Sequence, residues 1–232
     1  MGKVGIVGGV GPASTLDYYR EIISGFRRAT GSKNYPKIVV NSVDMTEMLR
    51  FTERRDFPGL TDFLLRAIGE LAAAGADFAL IASNTPHIVF DQVRERSPLP
   101  MISIVEATCA RAASRSLKKL LLIGTGFTMA NHFYQDALAL RGIESFVPSK
   151  EGQALIQNII FPELEDGIVR PEQKARLVGL CAGLIRDEEA DGIILGCTEL
   201  PLMIGDRDFE VAVLDTTRIH IDAVVERLRV GL

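Results

Sequence analysis

The segment Ala76-Asp77-Phe78-Ala79-Leu80-Ile81-Ala82-Ser83-Asn84-Thr85 aligns with Ala190-Asp191-Gly192-Ile193-Ile194-Leu195-Gly196-Cys197-Thr198-Glu199, 114 positions further on. A second pair agrees at nearly the same offset, 116. Ile6-Val7-Gly8 followed by Tyr18 matches Leu122-Ile123-Gly124 followed by Tyr134. Any two strand–helix units share some likeness, but two matches in one order constrain the fold much more. They divide the 232 residues into two similar halves of about 110, an ordinary domain size.

Each half alternates short β-rich apolar runs with longer helical stretches, the pattern of an α/β fold with mainly parallel strands. Strands are expected at 3–8, 37–43, 78–82, 101–104, 119–123, 144–147, 192–196 and 211–214. Helices are expected at 13–28, 58–73, 88–96, 106–114, 129–140, 153–164, 171–187 and 216–229. In 58–73, Leu60, Phe63, Leu64, Ile68 and Leu71 fall on one helical face. The uninterrupted run Ile193-Ile194-Leu195 suits a sheet covered on both sides. The expected architecture is two pseudo-symmetric, Rossmann-like α/β domains, with the active site in the cleft at the strand C-termini. Pro98 and Pro100 punctuate the crossing, giving one domain of 1–98 plus 209–232 and another of 99–208. The strand at 211–214 is expected to return to the first domain, because it has no evident counterpart near residue 98.

Composition narrows the partners. With 26 Lys+Arg against 30 Asp+Glu the net charge is −4, and no basic cluster stands ready to neutralise phosphates, so no nucleic-acid partner is expected. No apolar run approaches the ~20 residues that span a bilayer, so no membrane partner is expected either. Three cysteines make no disulfide framework in a chain of this size. The N-terminal Met1–Gly9 runs straight into a strand rather than a leader, and Ile6 stands where a myristoylation motif needs Ser or Thr. A reducing, cytoplasmic location is the expectation, and a homodimer is the default by size alone.

The repeat places Ser83 and Cys197 at equivalent C-terminal ends of buried strands. A helix N-terminus is expected after each, where backbone N–H groups hold a carboxylate and favour a thiolate. Cys109 and Cys181 lie within helices among Ala and Leu and read as packed hydrophobes. Cys197, with Thr198 and Glu199 after it, makes a polar strand end that packing alone does not require.

Gly8-Gly9-Val10-Gly11-Pro12, Ser83-Asn84-Thr85-Pro86-His87 and Gly196-Cys197-Thr198-Glu199-Leu200 together resemble the aspartate/glutamate racemase family. The likeness covers essentially the whole chain. Gly124-Thr125-Gly126-Phe127-Thr128-Met129 and the stretch from Asp215-Thr216 to His220 resemble further family segments. The resemblance implies a racemase without pyridoxal phosphate or any other cofactor, acting on an amino acid, aspartate or glutamate above all. In it one cysteine thiolate removes the α-proton and a second thiol reprotonates the opposite face. The second cysteine matches Cys197; the first is Ser83 here.

That departure matters because a serine hydroxyl is a poor α-proton base without an activating neighbour. His87 lies four residues on, but no acid is in view to orient it. Three accounts of Ser83 stand side by side: a cysteine changed to serine, a one-cysteine decarboxylase or isomerase of a small carboxylic acid, and an amino-acid-binding protein without turnover.

By the same resemblance Glu199 assists the Cys197 thiol, and Asn84, Thr85, Thr125, Thr128 and Thr198 contact substrate; helix capping is their plainer duty. Gly9 and Gly11 form a tight turn at the substrate rim, with Ser14 or Thr15 capping the next helix. The same glycines read alternatively as an imperfect dinucleotide fingerprint, with Asp44 on a ribose. Arg50, in the mixed-charge run Arg50–Asp56, is the candidate for a distal carboxylate. The acidic run Phe161–Gly167 stands where dicarboxylate-specific relatives would carry a basic group, which weakens a strict aspartate or glutamate assignment. His132 and His220 have no metal-ligand spacing, so no metal is expected, and His220 reads as a helix-surface residue.

Overall fold

The computed structural model describes residues 2–31 and 33–230. They form two four-stranded parallel sheets of the same topology. The first holds β1 (Lys3–Gly8), β2 (Lys37–Ser42), β3 (Phe78–Ile81) and β4 (Met101–Ile102) in the order β2-β1-β3-β4. The second holds β5 (Lys119–Gly124), β6 (Glu144–Phe146), β7 (Gly192–Gly196) and β8 (Ala212–Asp215) in the order β6-β5-β7-β8. Val7 pairs with Ile81 and Ile123 with Leu195, so the repeated motifs occupy matching places on neighbouring central strands.

The last strand of each sheet departs from the sequence expectation. Ala212–Asp215 pairs with β7 and completes the second sheet instead of returning to the first. Met101–Ile102 pairs with β3 and is its missing counterpart. The two bridging residues of β4 lie just after Pro100, too short a run to declare a partner locally. The compact units accordingly run up to Ile104 and from His220 on, and over Val105–Ile219. In each unit the edge strand feeds a helix that belongs mostly to the other: α5 (Ile104–Ser114) after β4, and α10 (Thr216–Val230) after β8.

In the first unit α1 (Pro12–Thr30) begins with proline, whose missing N–H is no loss in a first helical turn. Tyr18, Ile22 and Phe26 recur every fourth residue and bury one face of α1. That face packs with Val4, Ile6, Phe78 and Leu80 and with Ile221, Val224 and Leu228 of α10. The other face of the sheet, through Val7, Ala79 and Ile81, meets Leu60, Leu64, Ile68 and Leu71 of α3 (Phe57–Ala73). Each such side chain contributes at most about 1.5–3 kcal/mol of burial. The second sheet is likewise buried on both faces. Leu121, Ile123, Ile193 and Leu195 pack with α8 (Lys150–Ile159) and α9 (Pro171–Asp187), while Leu120, Leu122 and Ile194 are fully buried as well.

One helix was not evident in the sequence. Met45–Glu53 is α2, started by Asp44, whose carboxylate accepts from the Thr46 N–H at 2.8 Å. Arg50 therefore sits in the last turn of a helix rather than in a loop. Between β3 and β4 a short 3₁₀ turn, Thr85–Val89, precedes α4 (Phe90–Arg96). Two short helices, α6 (Gly126–Ala130) and α7 (Phe133–Ala139), replace the single one expected over 129–140. Among the described residues no helix is long and apolar enough to cross a membrane.

Candidate functional site

In the first unit the chain turns sharply after β1. Gly9 has φ +81°, and a side chain there would collide with the Val43 carbonyl oxygen, so the position requires glycine. Gly11, with φ +92°, completes the turn into α1. Neither Ser14 nor Thr15 caps α1 as expected. Thr15 Oγ1 instead accepts from the Gly9 N–H at 2.9 Å and donates to the Gly11 carbonyl at 3.1 Å. Ser14, buried, donates to the carbonyl of Ala82 at 3.1 Å, tying the first turn of α1 to the end of the neighbouring strand. The Gly9 amide is thus already engaged and Asp44 is a helix cap, which leaves the dinucleotide reading without its two anchors.

Ser83 follows β3 and is half-buried; Asn84 beside it is buried and Thr85 half-buried. His87 does not activate the Ser83 hydroxyl. Its Nδ1 lies 2.8 Å from the Ser83 carbonyl oxygen, and its Nε2 accepts from the Ile104 N–H at 3.3 Å. Burial, reinforced by His220, lowers its pKa to about 3, so the ring is neutral. His220 is no surface residue: it is fully buried, between the Tyr18 hydroxyl at 2.8 Å and the Ile102 carbonyl at 3.0 Å. Arg50 is exposed on α2.

In the second unit Gly196 ends β7 and Cys197 follows, 5% exposed. Its Sγ–H donates to Glu199 Oε2 at 2.9 Å. Thr198 Oγ1 lies 2.9 Å from both oxygens of the same carboxylate, which is itself buried. The expected helix N-terminus is only a three-residue 3₁₀ turn, Leu200–Leu202. Burial first, then the Glu199 charge and its hydrogen bond, push the Cys197 thiol well above its usual range. This reverses the expectation of a dipole-stabilised thiolate. The residue instead rests as a thiol with a proton acceptor in contact.

Thr125 caps α6, accepting from the Thr128 N–H at 3.2 Å, and its hydroxyl meets that of Thr128 at 3.1 Å. Thr128 also packs on Gly196, just before Cys197, where a Cβ would sit 3.3 Å from its methyl carbon. Gln157, not singled out from the sequence, accepts from the Gly126 N–H at 2.6 Å and completes this cap. Glu165 was also missed as an individual residue. Its carboxyl is raised by burial and then by Glu199, and its charge is felt at Cys197. Within the acidic run, Glu163 is occupied by Arg170.

The structure thus gathers Gly9, Gly11, Ser83, Asn84 and Thr85 at the C-terminal ends of β1 and β3, and Thr125, Thr128, Cys197, Thr198 and Glu199 at those of β5 and β7. A thiol that can pass its proton to a buried carboxylate, and then take another from carbon, is equipped for α-proton chemistry.

Comparison with known proteins gives the family. The family model described as Asp/Glu/Hydantoin racemase matches residues 7–224. A broad specificity amino-acid racemase from Bacillus subtilis is 25% identical, over 92% of this chain and 92% of its own length. An aspartate racemase homologue from Pyrococcus horikoshii is 37% identical, with a TM-score of 0.87 over 99% of this chain and 100% of its own. A candidate Asp/Glu racemase from Yersinia pestis superposes at TM-score 0.91 with 30% identity, over 99% of this chain and 100% of its own. Sequence, topology and site chemistry lead to one assignment: the chain belongs to the Asp/Glu/Hydantoin racemase family.

Proposed function

We propose that the protein is an amino-acid racemase acting by direct α-proton transfer, with Cys197 as the working base and acid on one face. The observation that carries this reading is the buried Cys197–Glu199 contact at a strand end. Passing the thiol proton to Glu199 creates a thiolate without adding net charge to the buried pair. The thiolate then takes the α-proton, and the electron pair left on Cα spreads into the substrate carboxylate. Return of a proton from sulfur restores the same enantiomer; a proton delivered to the other face inverts it. When sulfur returns its proton to carbon, Glu199 gives the proton it holds back to Cys197; after inversion Cys197 keeps the α-proton, and Glu199 releases its proton to solvent, from which the donor on the other face is recharged.

Inversion requires a second acid–base group, and the repeat assigns that place to Ser83. A hydroxyl there is a weak substitute, so turnover is expected to be one-sided: fast exchange of the enantiomer served by Cys197 and slow inversion. Gly11, Asn84, Thr85, Thr125, Thr128 and Thr198 are the proposed binding groups, with Gly9 shaping the turn that carries Gly11 and Arg50 for a distal carboxylate. Aspartate and glutamate are the first substrates to test. The serine also favours a second reading, a one-thiol decarboxylase or isomerase of a small carboxylic acid.

Proton NMR in D2O, following loss of the α-hydrogen from both enantiomers of aspartate, glutamate and a panel of other amino acids, tests the proposal. The Ser83 chain should exchange one enantiomer, Ser83→Cys both, and Cys197→Ala should lose at least ~10²-fold of the exchange. Exchange that survives in Cys197→Ala overturns the role of the thiol. Silence of both the Ser83 chain and Ser83→Cys towards every amino acid, with CO2 release from a malonate, selects the decarboxylase.

A further inference from the structure

We propose that His87 is a positioning residue that sets the backbone at Ser83, and hence the direction of whatever side chain stands there, by locking it to the head of α5. This inference rests on the racemase reading for its catalytic consequence but not for its geometry.

The hydrogen bonds fix which ring nitrogen carries the proton. The Ile104 amide can only donate, so His87 Nε2 is bare and accepts from it at 3.3 Å. A neutral imidazole then has its proton on Nδ1, which donates to the Ser83 carbonyl at 2.8 Å. The Phe90 ring stacks on the imidazole, centroids 4.9 Å apart and planes 9° off parallel, and holds it in that plane. His220 carries the opposite tautomer. The Ile102 carbonyl can only accept, so Nε2 bears the proton and Nδ1 accepts from the Tyr18 hydroxyl. The two rings meet edge to face with centroids 6.2 Å apart.

Ile102, Ser103 and Ile104 are therefore gripped at both ends by neutral imidazoles of opposite tautomer. This is the stretch where the chain leaves the first unit, and His220 is the residue where it comes back. Ser14 holds the carbonyl of Ala82 and His87 that of Ser83, so the two peptides around position 83 are both set by side chains from outside β3. Filling space would not require this pattern. A phenyl ring would stack on Phe90 as well but would lose both the bond to the Ser83 carbonyl and the bond from the Ile104 amide.

The test separates the two halves of the imidazole. In Ser83→Cys, where both enantiomers are expected to exchange, His87→Asn retains a donor near the Nδ1 position, His87→Gln retains an acceptor near Nε2, and His87→Ala retains neither. Exchange of the enantiomer served by position 83 should fall about ten-fold or more in kcat in the Gln and Ala forms, with KM little changed. His87→Asn should restore most of it, and exchange of the enantiomer served by Cys197 should stay near its parent rate. Equal losses for both enantiomers, or no loss in His87→Gln, overturn the proposal.

Two measurements on the Ser83 chain do not depend on turnover. Nitrogen-15 NMR should show the proton of His87 on Nδ1 and that of His220 on Nε2, and His87→Gln should speed amide exchange at Asn84 and Thr85. The reverse tautomer at His87, or unchanged exchange there, overturns the positioning role even where the enzyme is active. A silent parent with the expected tautomers and faster amide exchange overturns the racemase reading and leaves the lock standing.

Discussion

After β3 the chain reads Ser83-Asn84-Thr85, and after β7 it reads Cys197-Thr198-Glu199. Both triplets leave a buried parallel strand beside a glycine-ended neighbour, β1 or β5, and both are followed by a 3₁₀ turn. The frames match; the side chains do different work. In the first unit Ser14 and His87 reach in to hold backbone carbonyls. In the second, Thr198 and Cys197 both turn to one carboxylate, that of Glu199. One end is a backbone held by side chains, and the other is a thiol and a hydroxyl gathered on one carboxylate, which the proposed mechanism uses as a store for a single proton. The repeat thus preserves a scaffold, while the residues placed on it are free to diverge in chemistry.

The sharpest way to break this comparison is acid. His87 and His220, both buried in the first unit, have pKa values lowered to about 3 and about 4, whereas the third histidine, His132, is exposed. The unfolded chain binds these two protons near pH 6.5 and the folded chain only near pH 3–4. Stability is therefore full above about pH 6.5 and falls as the pH drops through that window, by at most about 2.7 kcal/mol per pH unit for two groups. In the second unit Glu165 and Asp215 are raised, chiefly by burial, and shift the opposite way: their share of stability is present at low pH and lost as pH rises through their folded values. Hydrogen exchange followed by segment at pH 7 and pH 5 should show β1, β3 and α1 losing protection before β5 and β7. The reverse order would remove the buried histidines as the acid-sensitive element.

A smaller effect sharpens the other half. Glu199→Gln removes the charge that raises the Cys197 thiol, so thiolate should form at lower pH and alkylation at a fixed pH should quicken, about ten-fold. Cys109 and Cys181, pushed to about 11 and about 12 mainly by burial, supply internal references that should not move. In the same variant α-hydrogen exchange should fall, because the acceptor for the thiol proton is gone. A more reactive thiol with slower turnover is the signature of a proton store. Faster turnover would show Glu199 to be a brake.

The repeat made the strand ends legible, because Ala-Asp, an apolar run and a polar triplet are local and recur in register. The β1–β3 and β5–β7 pairings that set these ends side by side come from the structure. The last strands did not follow, since Met101–Ile102 is two residues long and its membership is decided by its neighbour β3, not by its own pattern. The helix Met45–Glu53 was hidden by its shortness and mixed charge, though Asp44 two residues before Thr46 was a readable cap. His220 was misplaced because its partners, Tyr18 and Ile102, lie 202 and 118 residues away. At Cys197 a dipole was expected from the position of the motif, but only three residues of 3₁₀ turn follow. Burial, and after it the neighbouring Glu199 charge, therefore decide the direction of the shift.

The smallest effect examines the repeat where no chemistry is involved. Asp77 and Asp191 stand 114 positions apart, just before β3 and β7. Their backbone amides donate to the carbonyls of Lys3 and Lys119, at the starts of β1 and β5. Asp77 then accepts one further bond, from the Lys3 N–H at 2.7 Å. Asp191 accepts two, from the Lys118 N–H at 2.7 Å and the Lys119 N–H at 3.1 Å. Both carboxylates close the strand end opposite the site, so replacing them should leave turnover alone and report only on the frame. Asp77→Ala should cost about 1 kcal/mol and Asp191→Ala about twice that, measured by urea unfolding. Equal costs would mean that the second bond to Asp191, from the Lys119 N–H, adds nothing to the closure. A larger cost for Asp77→Ala would show that the two frames, alike in topology, differ in how tightly their central strands are fastened.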